Sequence, residues 1–222
     1  MVQRVKVFTQ TVAAAVGPRT GPGLKPDTNV GMRLFVAIVP PQEALAELSA
    51  AVEPLRAAAP ELRWAGPEAW HLTLAFLGEV DPRVLPELDT RLGRAAGRHP
   101  SKELAISGAG AFPSAARARV LWAGLRADSS GLAALAASVA AGARRAGAPP
   151  PDEGSRKYRP HLTLARSRDP ADLSHLTSAL AAFTSAQWTA QAIQLIRSEL
   201  SGGPARYEEL ARWPLRPPAP SG

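Results

Sequence analysis

The sequence predicts an α+β chain built as two similar lobes with antiparallel-rich sheets. Three observations lead there. Strand-like and helix-like segments alternate from residue 32 onward. The pentapeptide His-Leu-Thr-Leu-Ala is written twice, starting at His71 and again at His161. Each copy follows a strand and a helix in its own half of the chain, as a duplicated build would place it. A length of 222 residues suits one domain, or two small lobes sharing an interface.

Residues 1–31 show no sustained apolar period and end in the breaker-rich GPRTGPGLKPDTNVG, so they are expected to be a disordered extension. Met32 directly precedes the first strand pattern, and a chain starting there is expected to fold like the whole. Arg33 to Val39 reads as that strand, closed by Pro40-Pro41. Leu45, Leu48, Val52 and Leu55 then recur at helical spacing, with Pro41 suited to a first turn. Trp70 to Leu77 reads as a strand, and Asp81-Pro82 signals a helix reaching about Gly97. Glu103 to Ser107 and Arg119 to Leu125 read as strands. Ser130 opens a helix through Leu132, Leu135, Val139 and Ala143, stopped by Gly147. After the loop APPPDEGSRKYRP come a strand at His161 to Ala165, a helix near 171–182, and strands near 190–198 and 207–210. Residues 32–216 are therefore expected to form one bilobal domain, and 217–222 a disordered tail.

Composition narrows the functional class. Hydrophobic residues make up 45% of the chain, enough for a sizeable core. No apolar run approaches the ~20 residues that span a bilayer. With no cysteine, disulfides, thiolate catalysis and thiolate metal sites are excluded. These features predict a cytoplasmic protein that does not engage membranes. The net charge of +7 favours a polyanionic partner such as nucleic acid. Arg4, Lys6, Arg19 and Lys25 against Asp27 put +3 of it in the first 31 residues, leaving +4 for the rest.

The repeated motif carries the chemistry. In a strand, residues i and i+2 leave the same face, so His71 points with Thr73 and His161 with Thr163, while the leucines between them anchor the strand in a core. If the lobes face each other, two imidazoles and two hydroxyls converge. One neutral imidazole takes a proton from an attacking oxygen, and a protonated one gives a proton to the departing oxygen. The threonine hydroxyls can donate to phosphate oxygens as charge develops. A lone His-x-Thr reads most simply as a strand histidine with a satisfied ring. Two identical copies, using two of only four histidines, reverse that reading. His99 and His175 lack such a context and read as surface residues. No Glu, Asp or third His accompanies the pair at ligand spacing, so neither metal nor other cofactor is expected.

Paired His-x-Thr motifs and their flanks resemble the 2H phosphoesterase superfamily, in particular its RNA 2′,3′-cyclic phosphodiesterases, once called 2′-5′ RNA ligases. MRLFVAIVPP, RWAGPEAWHLTLAFLGEV, GAGAFP, RVLWAGL, RKYRPHLTLAR and RYEELARWPL are similar to that family's blocks, in its order. The resemblance runs from Met32 to about Leu215. It implies a bilobal fold with a pseudo-two-fold central cleft, and metal-independent opening of a terminal 2′,3′-cyclic phosphate to a 2′-phosphate. His71 would be the proton donor and His161 the base that activates water. The partner would be the 3′ end of an RNA bearing that cyclic phosphate, and the protein a monomer.

Three further residues are candidates for binding substrate. Arg166, five residues after His161, falls on the opposite face by strict alternation, and the resemblance implies a contact with the phosphate or the base. Tyr158 lies in the basic run Arg156-Lys157-Tyr158-Arg159, a pattern suited to base stacking and backbone attraction. Phe35 reads by pattern as a core residue, and by resemblance as lining a base pocket. The five tryptophans read as packing residues. Alternative functions are the reverse 2′-5′ ligation, hydrolysis of small cyclic nucleotides, and a non-catalytic RNA-binding module. The last has no use for an acid–base pair.

Overall fold

The computed structural model describes residues 31–151, 158–199 and 205–217. The expected extension, Gly31 apart, and the tail from residue 218 lie outside the described residues.

The first strand, β1 (Met32–Ile38), alternates as expected, with Leu34, Val36 and Ile38 buried on one face and Phe35 and Ala37 on the other. It leads to α1 (Gln42–Ala58), whose buried stripe is Ala44, Leu45, Leu48 and Val52. A two-residue strand, β2 (Arg63–Trp64), was not evident in the sequence, being too short to show a period. Then come β3 (Leu72–Val80), α2 (Leu85–Gly97), β4 (Lys102–Phe112), β5 (Ala118–Arg126) and α3 (Ser129–Arg145). The Asp128 carboxylate caps α3 by accepting from the Ser130 amide, and Gly147 follows the helix at φ +86°. After β6 (Leu162–Ala171) there is only a short α4 (Ser174–Ala179), followed by β7 (Trp188–Ala190), β8 (Ala192–Glu199) and β9 (Arg206–Pro214).

The helix expected over 171–182 is trimmed at both ends for identifiable reasons. β6 runs on to Ala171 before α4 starts. Past the helix, β4 takes over the backbone: the Gly108 amide donates to the Phe183 carbonyl at 2.9 Å and the Ser185 amide to the Ile106 carbonyl at 2.9 Å.

Two antiparallel sheets result, one in the order β3-β1-β8-β9 and the other β2-β6-β5-β4-β7. Setting β2 aside, each is a four-strand run that begins with a motif strand. The lobes are not the two halves of the chain, however. The C-terminal strands β8 and β9 return to complete the sheet of β1 and β3. α1 leaves the first half to cover the sheet of the second motif, packing Leu45, Leu48 and Val52 with Leu121, Leu162 and Leu164. α2 and α3 cover the first motif's sheet, packing Leu88, Leu92, Leu132 and Leu135 with Val36, Leu74 and Ile193. Two cores are thus built from interleaved segments.

Both cores should melt together because neither is made from a continuous piece of chain. Leu48 and Leu135 are fully buried, one in each core. Leu48→Ala and Leu135→Ala should each cost about 2–5 kcal/mol and lower the midpoint of one shared transition in urea. Two separated transitions in either variant would show independent lobes.

Candidate active site

Each motif histidine sits one residue ahead of its strand, His71 before β3 and His161 before β6. The two pentapeptides also share a distortion that sequence alternation does not reveal. Across β1, Val36 opposes Ala75 and Ala37 opposes Thr73, so Leu74 is an extra residue in the ladder. Across β5, Leu121 opposes Ala165 and Trp122 opposes Thr163, so Leu164 is extra in the same place. Leu74 and Ala75 both enter one core, and Leu164 and Ala165 both enter the other. The bulge shifts the phase of everything after it. Phe76 and Arg166 therefore return to the face that carries the histidine and threonine. This puts Arg166 on the face of His161 and Thr163, opposite Val120, although strict alternation would turn it away.

Aromatic rings hold both imidazoles. Phe35 stacks on His71 with centroids 4.5 Å apart, and Tyr207 meets the same ring edge-on at 5.2 Å. Phe35 is buried beneath His71 and Tyr207, and its ring forms a floor for the imidazole. His161 is met edge-on by Phe112 at 5.0 Å and flanked by Trp122 at 6.1 Å. Trp122 needs Gly110 opposite it on β4, because a Cβ there would lie 2.2 Å from the indole. Nothing in the sequence singles out Tyr207 or Phe112 as a neighbour of a histidine, and Trp122 reads there only as a packing residue. The spacing that places each ring beside a histidine runs across strands, and no local pattern marks it.

Burial and mutual charge set the protonation of the pair. His71 is pushed down from 6.5 to about 4, first by burial and then by positive charge on His161. His161 is also lowered, by burial above all; its Arg159 hydrogen bond works against this, and Arg166 adds to it. That hydrogen bond, Nδ1 to the Arg159 carbonyl at 2.7 Å, determines the tautomer. A carbonyl can only accept, so Nδ1 carries the proton and Nε2 keeps its lone pair. The two histidines are close enough to affect each other, and Arg166 acts on both His161 and Tyr207. The fold thus brings His71 and His161 together, with Arg166 beside His161, while Thr73 and Thr163 lie on the strand faces of their own histidines.

Tyr158 is half-buried, and its hydroxyl donates to the main-chain carbonyl of Thr73 at 3.1 Å. Burial raises its phenol above the ordinary range. The segment entering the second motif is thereby fastened to the first. A matching tie runs the other way, from the Ala65 amide, ahead of the first motif, to the carbonyl of Leu164 at 2.8 Å. Of the basic run, Arg156 and Lys157 lie outside the described residues. His99 is half-buried and bonds Ser138 at 2.7 Å, so it is not the surface residue that its sequence context suggested; His175 is exposed. Among the described residues no three histidines or carboxylates gather at metal-binding distance.

Comparison with known proteins places this geometry in context. Residues 39–202 match the model of the 2′-5′ RNA ligase superfamily. An RNA 2′,3′-cyclic phosphodiesterase of Thermus thermophilus is 32% identical over 197 residues, covering 83% of this chain and 91% of the relative. The enzyme of the same name from Escherichia coli is 33% identical over 145 residues, covering 65% of this chain and 75% of its own. The crystal structure of E. coli LigT in apo form superposes with a TM-score of 0.64 at 30% identity, over 84% of this chain and 98% of that one. No helix among the described residues is long and apolar enough to cross a membrane.

The depressed His71 value has a measurable consequence. The unfolded chain takes up this proton near pH 6.5 and the folded chain only near 4. Stability from this group is therefore complete above about 6.5 and drains away as pH falls toward 4, on the order of 3 kcal/mol in all. Histidine NMR titration should place His71 well below the ordinary imidazole value of about 6.5, and His71→Gln should flatten the stability loss across that window. A His71 midpoint at or above 6.5 would contradict this picture of the cleft.

Proposed function

The chain belongs to the 2′-5′ RNA ligase superfamily, and on that premise we propose that it hydrolyses the terminal 2′,3′-cyclic phosphate of RNA to a 2′-phosphate, using its two histidines without a metal. The observation that carries this reading is the tautomer of His161. Its Nδ1 donates to the Arg159 carbonyl and leaves Nε2 free as a base, with a second imidazole close enough to couple to it. The relatives named RNA 2′,3′-cyclic phosphodiesterase support the substrate class.

The reaction needs little beyond these groups. His161 Nε2 removes a proton from water as its oxygen attacks phosphorus. The bond from phosphorus to the 3′-oxygen breaks, and His71 gives that oxygen its proton. The products are a 2′-phosphate and a 3′-hydroxyl, and proton exchange with solvent resets both rings. In the free protein His71 is neutral at pH 7. The cyclic phosphate brings a negative charge between the two imidazoles and so favours the protonated form that the donor role requires. Thr73 and Thr163 donate to the non-bridging oxygens, and Arg166 balances the charge that builds on them. Phe35 and Tyr207 on one side and Phe112 and Trp122 on the other keep the imidazoles in place and partly dry. Tyr158 acts here through the Thr73 backbone, as a positioning residue rather than a base platform.

Turnover should be measured on a short oligonucleotide ending in 2′,3′-cyclic phosphate, in chelator. His71→Ala and His161→Ala should each lose at least ~10²-fold, and the Thr73→Val, Thr163→Val double variant about 10²–10³-fold. Activity that returns only with added zinc would defeat the two-histidine reading, as would wild-type rates in the double threonine variant. End-group analysis after complete digestion should find phosphate on the 2′ position. A mainly 3′-phosphate product would reverse the assignment of attacking and leaving sides.

A further inference from the structure

Two arginines stand side by side on the cleft face of the five-stranded sheet. Register sets Arg63 of β2 directly opposite Arg166 of β6. The next pair along, Trp64 and Ala165, packs into the core behind the sheet. Arg63 and Arg166 must therefore stand on the other face, with His161 and Thr163. Like charges directly opposite across two strands, with Cβ atoms about 4.5–5.5 Å apart, destabilise the pairing.

No acidic side chain among the described residues forms an ion pair with either, and both side chains are exposed. Glu68, just beyond β2, curls back over Gly66; its charge reaches Tyr207, but it forms an ion pair with neither arginine. Arg56, from α1, is committed elsewhere, to the Ala65 carbonyl and the faces of Trp64 and Trp70. Two uncompensated guanidiniums at opposed positions are a cost that an anion lying across them removes. Their stations in the cleft differ. Arg166 acts on His161 and Tyr207, and so belongs to the reacting phosphate. Arg63 is one strand farther out on the sheet's edge, about 4.8 Å away.

We propose that Arg63 is a further substrate-binding residue, holding the phosphodiester that joins the terminal nucleotide to its predecessor while Arg166 holds the cyclic phosphate. This rests on the function proposed above and adds a specificity to it. The paired arginines make the site a reader of RNA ends, favouring a chain over a cyclic mononucleotide. The planar guanidinium suits a phosphodiester because two of its donors can engage both non-bridging oxygens at once.

The test compares wild type, Arg63→Gln and Arg63→Lys on an oligonucleotide ending in 2′,3′-cyclic phosphate and on a nucleoside 2′,3′-cyclic phosphate, over a series of KCl concentrations. Arg63→Gln should lower kcat/KM on the oligonucleotide about tenfold, a loss at least about fivefold greater than on the mononucleotide. The slope of log kcat/KM against log salt for the oligonucleotide should become shallower by about 0.7, one phosphate contact fewer on a single strand. Arg63→Lys should restore that slope, since it keeps the charge. With no substrate, the thermal midpoint of Arg63→Gln should equal or exceed that of wild type, because a repulsion has been removed. Equal losses on both substrates, an unchanged salt slope, or a midpoint lowered by several degrees would each overturn the proposal. Failure of the underlying reading looks different: wild type would then turn over neither substrate.

Discussion

Two hydrogen bonds that cross between the motifs hold the cleft to one geometry. The Tyr158 hydroxyl reaches from the approach to the second motif to the Thr73 carbonyl, and the Ala65 amide reaches from the approach to the first motif to the Leu164 carbonyl. Each motif is thus held by the segment that leads into the other. Thr73 lies on the outer strand of its sheet, where a main-chain carbonyl would otherwise face water or a foreign strand. Acid–base chemistry between two imidazoles tolerates little drift, since proton transfer needs hydrogen-bond distances at both ends of the reacting group. These ties act together with the interleaving of the chain. α1 braces the sheet of His161, while β8 and β9 complete the sheet of His71. Neither lobe is able to move far without straining segments built into its counterpart.

The bulge within each pentapeptide is the second constraint. It sends two successive side chains, Leu74 with Ala75 and Leu164 with Ala165, into the core. That doubled anchor follows immediately after each His-x-Thr and returns the next residue to the face of the histidine. The two copies diverge from this position on. The first copy supplies Phe76, which lies under the guanidinium of Arg33 at 4.8 Å, and the second supplies Arg166. The two copies thus share a scaffold and differ in the side chain that follows it. In the proposed reaction that difference sets the two imidazoles apart.

Desolvation ties fold to chemistry. The rings that pack around His71 and His161 exclude water and so favour the neutral imidazole, lowering both groups. In an empty cleft this is a cost to protonation. In the proposed reaction, an anionic phosphate in these dry surroundings would be attracted more strongly to a protonated imidazole and to the arginine beside it. The aromatic residues would act on that reaction through the electrostatics of the two histidines they pack against.

Much of this was legible in the sequence because it is local. The order of strands and helices follows from hydrophobic period, and Gly147 ends a helix because glycine takes a left-handed conformation cheaply. His71 with Thr73, and His161 with Thr163, share faces because a strand alternates. The repeat itself marked the chemistry. Tertiary structure alone decided which sheet each strand joins, because pairing is settled between segments far apart in sequence; hence β8 and β9 beside β1, and the interleaved lobes. It also decided the phase of Arg166, since a bulge exists only relative to a partner strand and no residue in Leu-Thr-Leu-Ala announces one. Phe112, Trp122 and Tyr207 reach the histidines across strands, and Arg63 meets Arg166 only through a two-residue ladder. Side chains on one strand are placed by the backbone that bears them. Side chains on different strands are placed by register, which the whole core determines.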